Sequence, residues 1–214
     1  MDIIAFLIDF ILHVDLHLAE LIQQYGVWTY LILFLVIFCE TGLVFTPFLP
    51  GDSLLFVIGA LAADGFFNTK LITLLLMVAA VGGNTTNYFI GRFIGQKILN
   101  SRSRLIRTIV KKEYIDRTHV FYEKHGGKAV FLSRFMPIIR TFAPFVAGVG
   151  KMPFAKFTFF NTLGGITWSL LFISAGYFFG AIPAVQHHFT YVIFAIVAIS
   201  LLPAVIAAWN KRRK

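Results

Sequence analysis

Hydrophobic residues in this chain come in blocks, and the polar positions that interrupt the blocks fall into an order that occurs twice. Over residues 2–24 the polar side chains Asp2, Asp9, His13, His17, Glu20 and Gln24 share one narrow stripe at the 3.6-residue period. This predicts an amphipathic helix, and the stripe leaves open whether it crosses a bilayer or lies on it. Val27 to Cys39 is apolar but long enough for only part of a crossing. Glu40, Gly42, Pro47, Pro50 and Gly51 then interrupt helical geometry before a second short apolar piece, Ser53 to Ala63. Two sub-length segments joined by Pro/Gly-rich backbone predict a re-entrant hairpin, tolerated at membrane depth where its free backbone groups face protein or a watery cavity. The uncharged run Leu71 to Gly91 that follows is long enough to span about 30 Å of hydrocarbon.

The order then recurs. Lys128 to Ser133 and Thr141 to Gly150 are short apolar pieces broken by Arg134, Pro137, Arg140 and Pro144, and Phe157 to Gln186 is a second uncharged spanning run. Gly82-Gly83-Asn84 leading to Tyr88-Phe89-Ile90-Gly91 matches Asn161 with Gly164-Gly165 leading to Tyr177-Phe178-Phe179-Gly180. Tyr25-Gly26 and His125-Gly126-Gly127 close the amphipathic stretches that precede the two broken units. The predicted fold is an all-α polytopic membrane protein: an inverted repeat of amphipathic helix, re-entrant hairpin and transmembrane helix, plus a C-terminal transmembrane helix. A single membrane domain covers 1–214, with repeat 1 over 1–97, a basic segment of repeat 2 over 98–127, the rest of repeat 2 over 128–181 and the final helix over 188–210.

Composition agrees with the blocks: 58% of residues are hydrophobic, 14% are charged, and the mean hydropathy is +0.80. The net charge of +9 raises nucleic acid as a partner, but the distribution speaks against it. No Lys or Arg precedes Lys70, whereas residues 92–128 carry ten Lys/Arg against three acids, and the chain closes on Lys211-Arg212-Arg213-Lys214. The positive-inside rule places both basic segments in the cytoplasm, which inverts the two repeats. The amino-terminal stretch has no basic region before its acids and no small-residue cleavage site, so a cleaved signal peptide is not expected. One cysteine, Cys39, leaves no intramolecular disulfide, and the histidines show no metal-ligand spacing. A nucleophile motif, an HExxH helix and a P-loop are missing as well, so neither an enzyme nor a metal or organic cofactor is expected.

The candidate chemistry lies in the broken units. Glu40 and Asp52 interrupt the first, Arg134 and Arg140 the second. An ionised side chain at bilayer depth costs about 2.5–3.5 kcal/mol even on lenient scales. Two acids and two bases there point to a transport site, the alternative being a structural ion pair that pins the hairpins together. Arginine suits phosphate, because its planar guanidinium donates two parallel hydrogen bonds and stays protonated, while a desolvated carboxylate can take up a proton near neutral pH. Asn84, Asn87, Tyr88, Asn161 and Trp168 are candidate pathway-lining residues, with interhelical hydrogen bonding and packing as the ordinary alternative.

Glu40-Thr41-Gly42, Pro47-Phe48-Leu49-Pro50-Gly51-Asp52, Asn87 to Arg92, Arg134 to Arg140, Gly148 and Asn161 to Trp168 resemble the DedA family, and the likeness extends over nearly the whole chain. The resemblance implies a multi-pass protein of the bacterial inner membrane, related to the eukaryotic VTT-domain lipid scramblases, whose bacterial members are linked to undecaprenyl phosphate recycling and to proton-dependent antiport. It also implies that Glu40, Asp52, Arg134 and Arg140 are functional. Asn84 departs from the family, where an acidic residue is expected at this position. The reading is therefore a flippase of an anionic lipid, a polyprenyl phosphate, in which Arg134 and Arg140 hold phosphate while Glu40 and Asp52 gate or couple. A proton-coupled ion or drug antiporter and a non-transporting envelope scaffold are the alternatives. Membrane lipids are the expected partners, with protons and a homo-oligomer left open.

Overall fold

The computed structural model describes residues 24–43, 51–99 and 125–180, together with Ile22, Tyr122, Ile182, Val185 and Ala195. All but the end of the amphipathic helix predicted over 2–24, the Pro47 and Pro50 break, most of the basic segment and all of the final transmembrane helix except Ala195 lie outside these residues. Every regular element among those described is a helix. They are α1 (Trp28–Gly42), α2 (Gly51–Ala63), α3 (Thr69–Leu99), α4 (Lys128–Ser133), α5 (Pro137–Val149) and α6 (Phe154–Phe179).

Helix ends follow local chemistry. Gly26 and Gly126 turn the chain into α1 and α4 with φ of 52° and 55°, a left-handed conformation that glycine adopts without a Cβ penalty. Asn68 caps α3, its Oδ1 accepting the Leu71 N–H at 3.1 Å. Pro137 opens α5, where its missing N–H is not needed. Two breaks expected from the sequence do not form. Helix α1 runs through Glu40 and stops at Gly42, and α5 runs through Arg140 and Pro144. Pro144 still leaves a mark, because the Arg140 carbonyl four residues earlier has no helical N–H to accept.

Helices α3 and α6 each contain an apolar stretch long enough to cross a membrane, Thr69–Gly95 and Phe154–Phe179. They run antiparallel and meet near Val81 and Asn161. Each carries the second short helix of the other half. Helix α2 packs on α6 and α5 on α3 through glycines so close that an added Cβ would meet backbone: Gly59 on the Ile173 carbonyl and Gly176 on that of Phe56, Gly148 on the Tyr88 carbonyl and Gly91 on that of Phe145. One turn on, Gly180 faces Ala60 and Gly95 faces Val149, so each pair runs in the same direction. This packing matches Gly91 and Gly95 with Gly176 and Gly180. It shifts by one turn the Tyr88–Gly91 with Tyr177–Gly180 correspondence read from sequence, because backbone approach, rather than the flanking aromatics, sets the register.

Two apolar clusters sit toward opposite ends of α3. One gathers Leu33, Ile37, Leu55, Ile58, Ile72 and Leu76, and the other Tyr88, Val130, Ala147 and Phe157. Between them lies a polar layer.

Candidate functional site

The polar layer forms where the short helices end. Glu40 lies two residues before the end of α1, Asp52 is the second residue of α2, Arg134 follows α4, and Arg140 sits in the first turn of α5. Asp52 and Arg134 are at the helix ends whose dipoles favour them. Glu40 and Arg140 are at the ends that disfavour them, and they pair with each other.

Arg140 joins both acids. Its Nη1 donates to Asp52 Oδ1 at 2.7 Å, and its Nη2 donates to Glu40 Oε1. The Glu40 carboxyl also rests on the start of α2, where a Cβ on Gly51 would come within 3.1 Å of it. Access is uneven: the side chain of Glu40 is 1% exposed, those of Arg140 and Asp52 12% and 14%. Trp168 completes this end of the cluster. Its Nε1 donates to Asp52 Oδ1 at 2.9 Å, and its ring centroid lies 5.8 Å from the Arg140 guanidinium and 6.0 Å from that of Arg134.

Arg134 is buried differently. Among the described residues it makes no ion pair, and its Nη2 donates to Asn161 Oδ1 at 2.8 Å and to the Ala80 carbonyl at 3.2 Å. Gly164 and Gly165 make a flat bed for it, since a Cβ on either would stand 3.0–3.2 Å from its side chain. Asn161 is in turn fixed by donating to the Val81 carbonyl and Thr85 Oγ1. Asn84 is best satisfied with its amide turned so that its nitrogen donates to the Thr41 carbonyl at 3.2 Å and its oxygen accepts from Arg134 Nη2 at 3.1 Å.

Of the nine residues singled out by sequence, seven therefore meet in this layer: Glu40, Asp52, Asn84, Arg134, Arg140, Asn161 and Trp168. Asn87 lies beside it, donating to the Thr141 carbonyl at 2.9 Å and tying α3 to α5. Tyr88 lies apart, stacked on Phe157 at 4.4 Å with its hydroxyl donating to the Met152 carbonyl and accepting from Arg92. Thr41 and Thr141 are additional members, flanking Glu40 and Arg140 in sequence, an adjacency that was their only signal. Together with Glu40, Asn84, Arg134, Arg140 and Trp168 they line a central cavity of about 10 Å³, room for about one water. No group of three or more His, Cys, Asp or Glu able to hold a metal occurs among the described residues.

A family model described as VTT domain matches residues 49–178. The chain is 54% identical over 216 residues to Protein DedA of Escherichia coli K12, covering all of this chain and 97% of that protein. It is 43% identical over 176 residues to the uncharacterized membrane protein Rv0364 of Mycobacterium tuberculosis, covering 81% of this chain and 76% of that protein. It is 38% identical over 156 residues to the inner membrane protein YqjA of E. coli K12, covering 72% and 69%. No solved structure matches it. With a family model over more than half its length and relatives that are themselves membrane proteins, the chain belongs to the VTT-domain family of DedA membrane proteins.

Proposed function

We propose that this protein is a flippase for an anionic lipid of the bacterial inner membrane, with a polyprenyl phosphate as its substrate, rather than an enzyme. One observation carries the reading: both terminal nitrogens of Arg140 are occupied by carboxylate oxygens from two different helices. A phosphate oxygen has the charge and geometry to take a carboxylate oxygen's place on such a nitrogen. Arg134, satisfied by neutral oxygens, supplies a second guanidinium beside the first. With room for about one water, the cavity does not hold a lipid headgroup as it stands, so in this reading the helices part as the headgroup engages the site.

The antiparallel α3 and α6, each carrying the other half's short helix, support an inverted repeat whose short pairs are re-entrant hairpins meeting at the midplane. In that arrangement the turn between α5 and α6 and the carboxy-terminal tail face the cytoplasm. The small cavity also favours a second reading, a proton-coupled antiporter in which Glu40 and Asp52 carry protons and the arginines balance charge.

Proteoliposomes with labelled undecaprenyl phosphate, with and without a pH gradient, separate the two. Lipid transfer by the wild type, and its loss in Arg140→Lys, which keeps the charge without the planar fork, is the expected result. Proton-driven cation exchange without lipid transfer would put the antiporter in its place.

A further inference from the structure

The backbone contacts sort the helices into two bodies, each drawn from both halves of the chain. In one, α3 holds α5 through Gly91, Gly95 and Gly148, and holds α1 through Gly42 and Gly83. In the other, α6 holds α2 through Gly59, Gly176 and Gly180, and α4 packs beside it with Arg134 on Gly164 and Gly165. Helices packed backbone to backbone have little room to slide. In the polar layer the bodies meet instead through side chains: Arg140 on Asp52, Arg134 on the Ala80 carbonyl, and Asn161 on Val81 and Thr85.

The two acids fall on opposite sides of this seam. Glu40 on α1 shares a body with its ion-pair partner Arg140 on α5 and touches the other body where its carboxyl packs against Gly51, whereas Asp52 on α2 belongs to that other body and forms its ion pair across the seam. Resting on the reading of the layer as a lipid-phosphate site, we propose that Glu40 is a positioning residue that keeps Arg140 aimed throughout transport, and that Asp52 is the latch between the bodies. An anionic oxygen of the substrate replaces Asp52 Oδ1 on Arg140 Nη1, and the seam opens. Asp52 is not stranded by the exchange, because the Trp168 indole that donates to the same oxygen lies on its own body. Its greater exposure makes it the acid a substrate reaches first, while Glu40 stays sealed.

Two readouts test the division. Val81 lies on α3 at the seam, where its side chain faces Gly165 of α6. In a Cys39→Ala background, a Val81→Cys thiol reports water entry through its rate of modification by a small methanethiosulfonate reagent. Asp52→Asn is expected to raise that rate about tenfold, as the loss of one charged hydrogen bond implies. Asp52→Glu, which keeps the charge, restores the slow rate and separates unlatching from misfolding. Glu40→Gln leaves the rate unchanged but weakens equilibrium binding of labelled undecaprenyl phosphate about tenfold, with Glu40→Asp recovering part of it. The division is overturned if Glu40→Gln opens the seam as far as Asp52→Asn, or if Asp52→Asn leaves it closed. Failure of the wild type to bind lipid phosphate removes the substrate reading, while the labelling rates still decide which acid holds the bodies together.

Discussion

Arg134 is a guanidinium buried without an ion pair among the described residues, and its stability depends on Asn161 more than on any other side chain. Removing that amide takes the shortest of its acceptors from a buried charged donor and leaves it the Ala80 carbonyl and Asn84, so Asn161→Ala is expected to lower stability in detergent by about 1.5 kcal/mol, read as a fall in melting temperature. Gly51→Ala tests the other end of the layer. Its methyl group would press on the Glu40 carboxyl, and transport is expected to fall while the protein still inserts. The four charges were legible from sequence because ionisable residues stand out in apolar blocks. The bond from Arg134 to Asn161 was not, because it depends on a crossing of helices that only packing fixes. Trp168 gave no sign of its bond to Asp52, since an indole in a membrane helix has the same sequence signature whether it packs or donates. Tyr88 drew attention by its neighbours, yet its hydroxyl serves a turn at the end of α5.

At the scale of elements, glycine does what side chains do in a soluble core. An alanine at Gly148 or Gly176 must push a backbone carbonyl aside, which is expected to cost about 1–3 kcal/mol of stability. Gly82 faces only the edge of the Phe38 ring, so Gly82→Ala is expected to be neutral or to gain up to about 1 kcal/mol of helix propensity. Parallel melting curves of the three variants check this contrast. Sequence showed that small residues recur in the long helices, but not which carbonyl each would meet. The helix boundaries near Glu40 and Arg140 were misplaced for a related reason: a charge or an internal proline inside an apolar helix is tolerated once another helix satisfies it.

At the largest scale, the described residues form two halves that trade their second short helices, α2 and α5, across an antiparallel pair while α1 and α4 stay with their own half. Under the proposed topology, Asp64, between α2 and α3, and Lys151, between α5 and α6, face opposite sides of the membrane. Single cysteines at these exposed positions are expected to label from outside and from the cytoplasm respectively; labelling of both from one side would remove the inverted arrangement. The two halves are not electrically alike. The acids of the polar layer come from the first half and the arginines from the second, and their formal charges, two carboxylates against two guanidinium groups, cancel. That cancellation leaves the layer, taken by itself, with no net charge for the membrane voltage to act on. A phosphate that enters alone carries an uncompensated charge through the field, worth about 2.3 kcal/mol per 100 mV for each elementary charge that crosses the whole membrane. A phosphate that brings one proton per negative charge carries none. The slope of lipid transfer against an imposed potassium diffusion potential therefore counts protons: a flat response means full compensation, and a steep one means the membrane voltage itself sets the direction of travel.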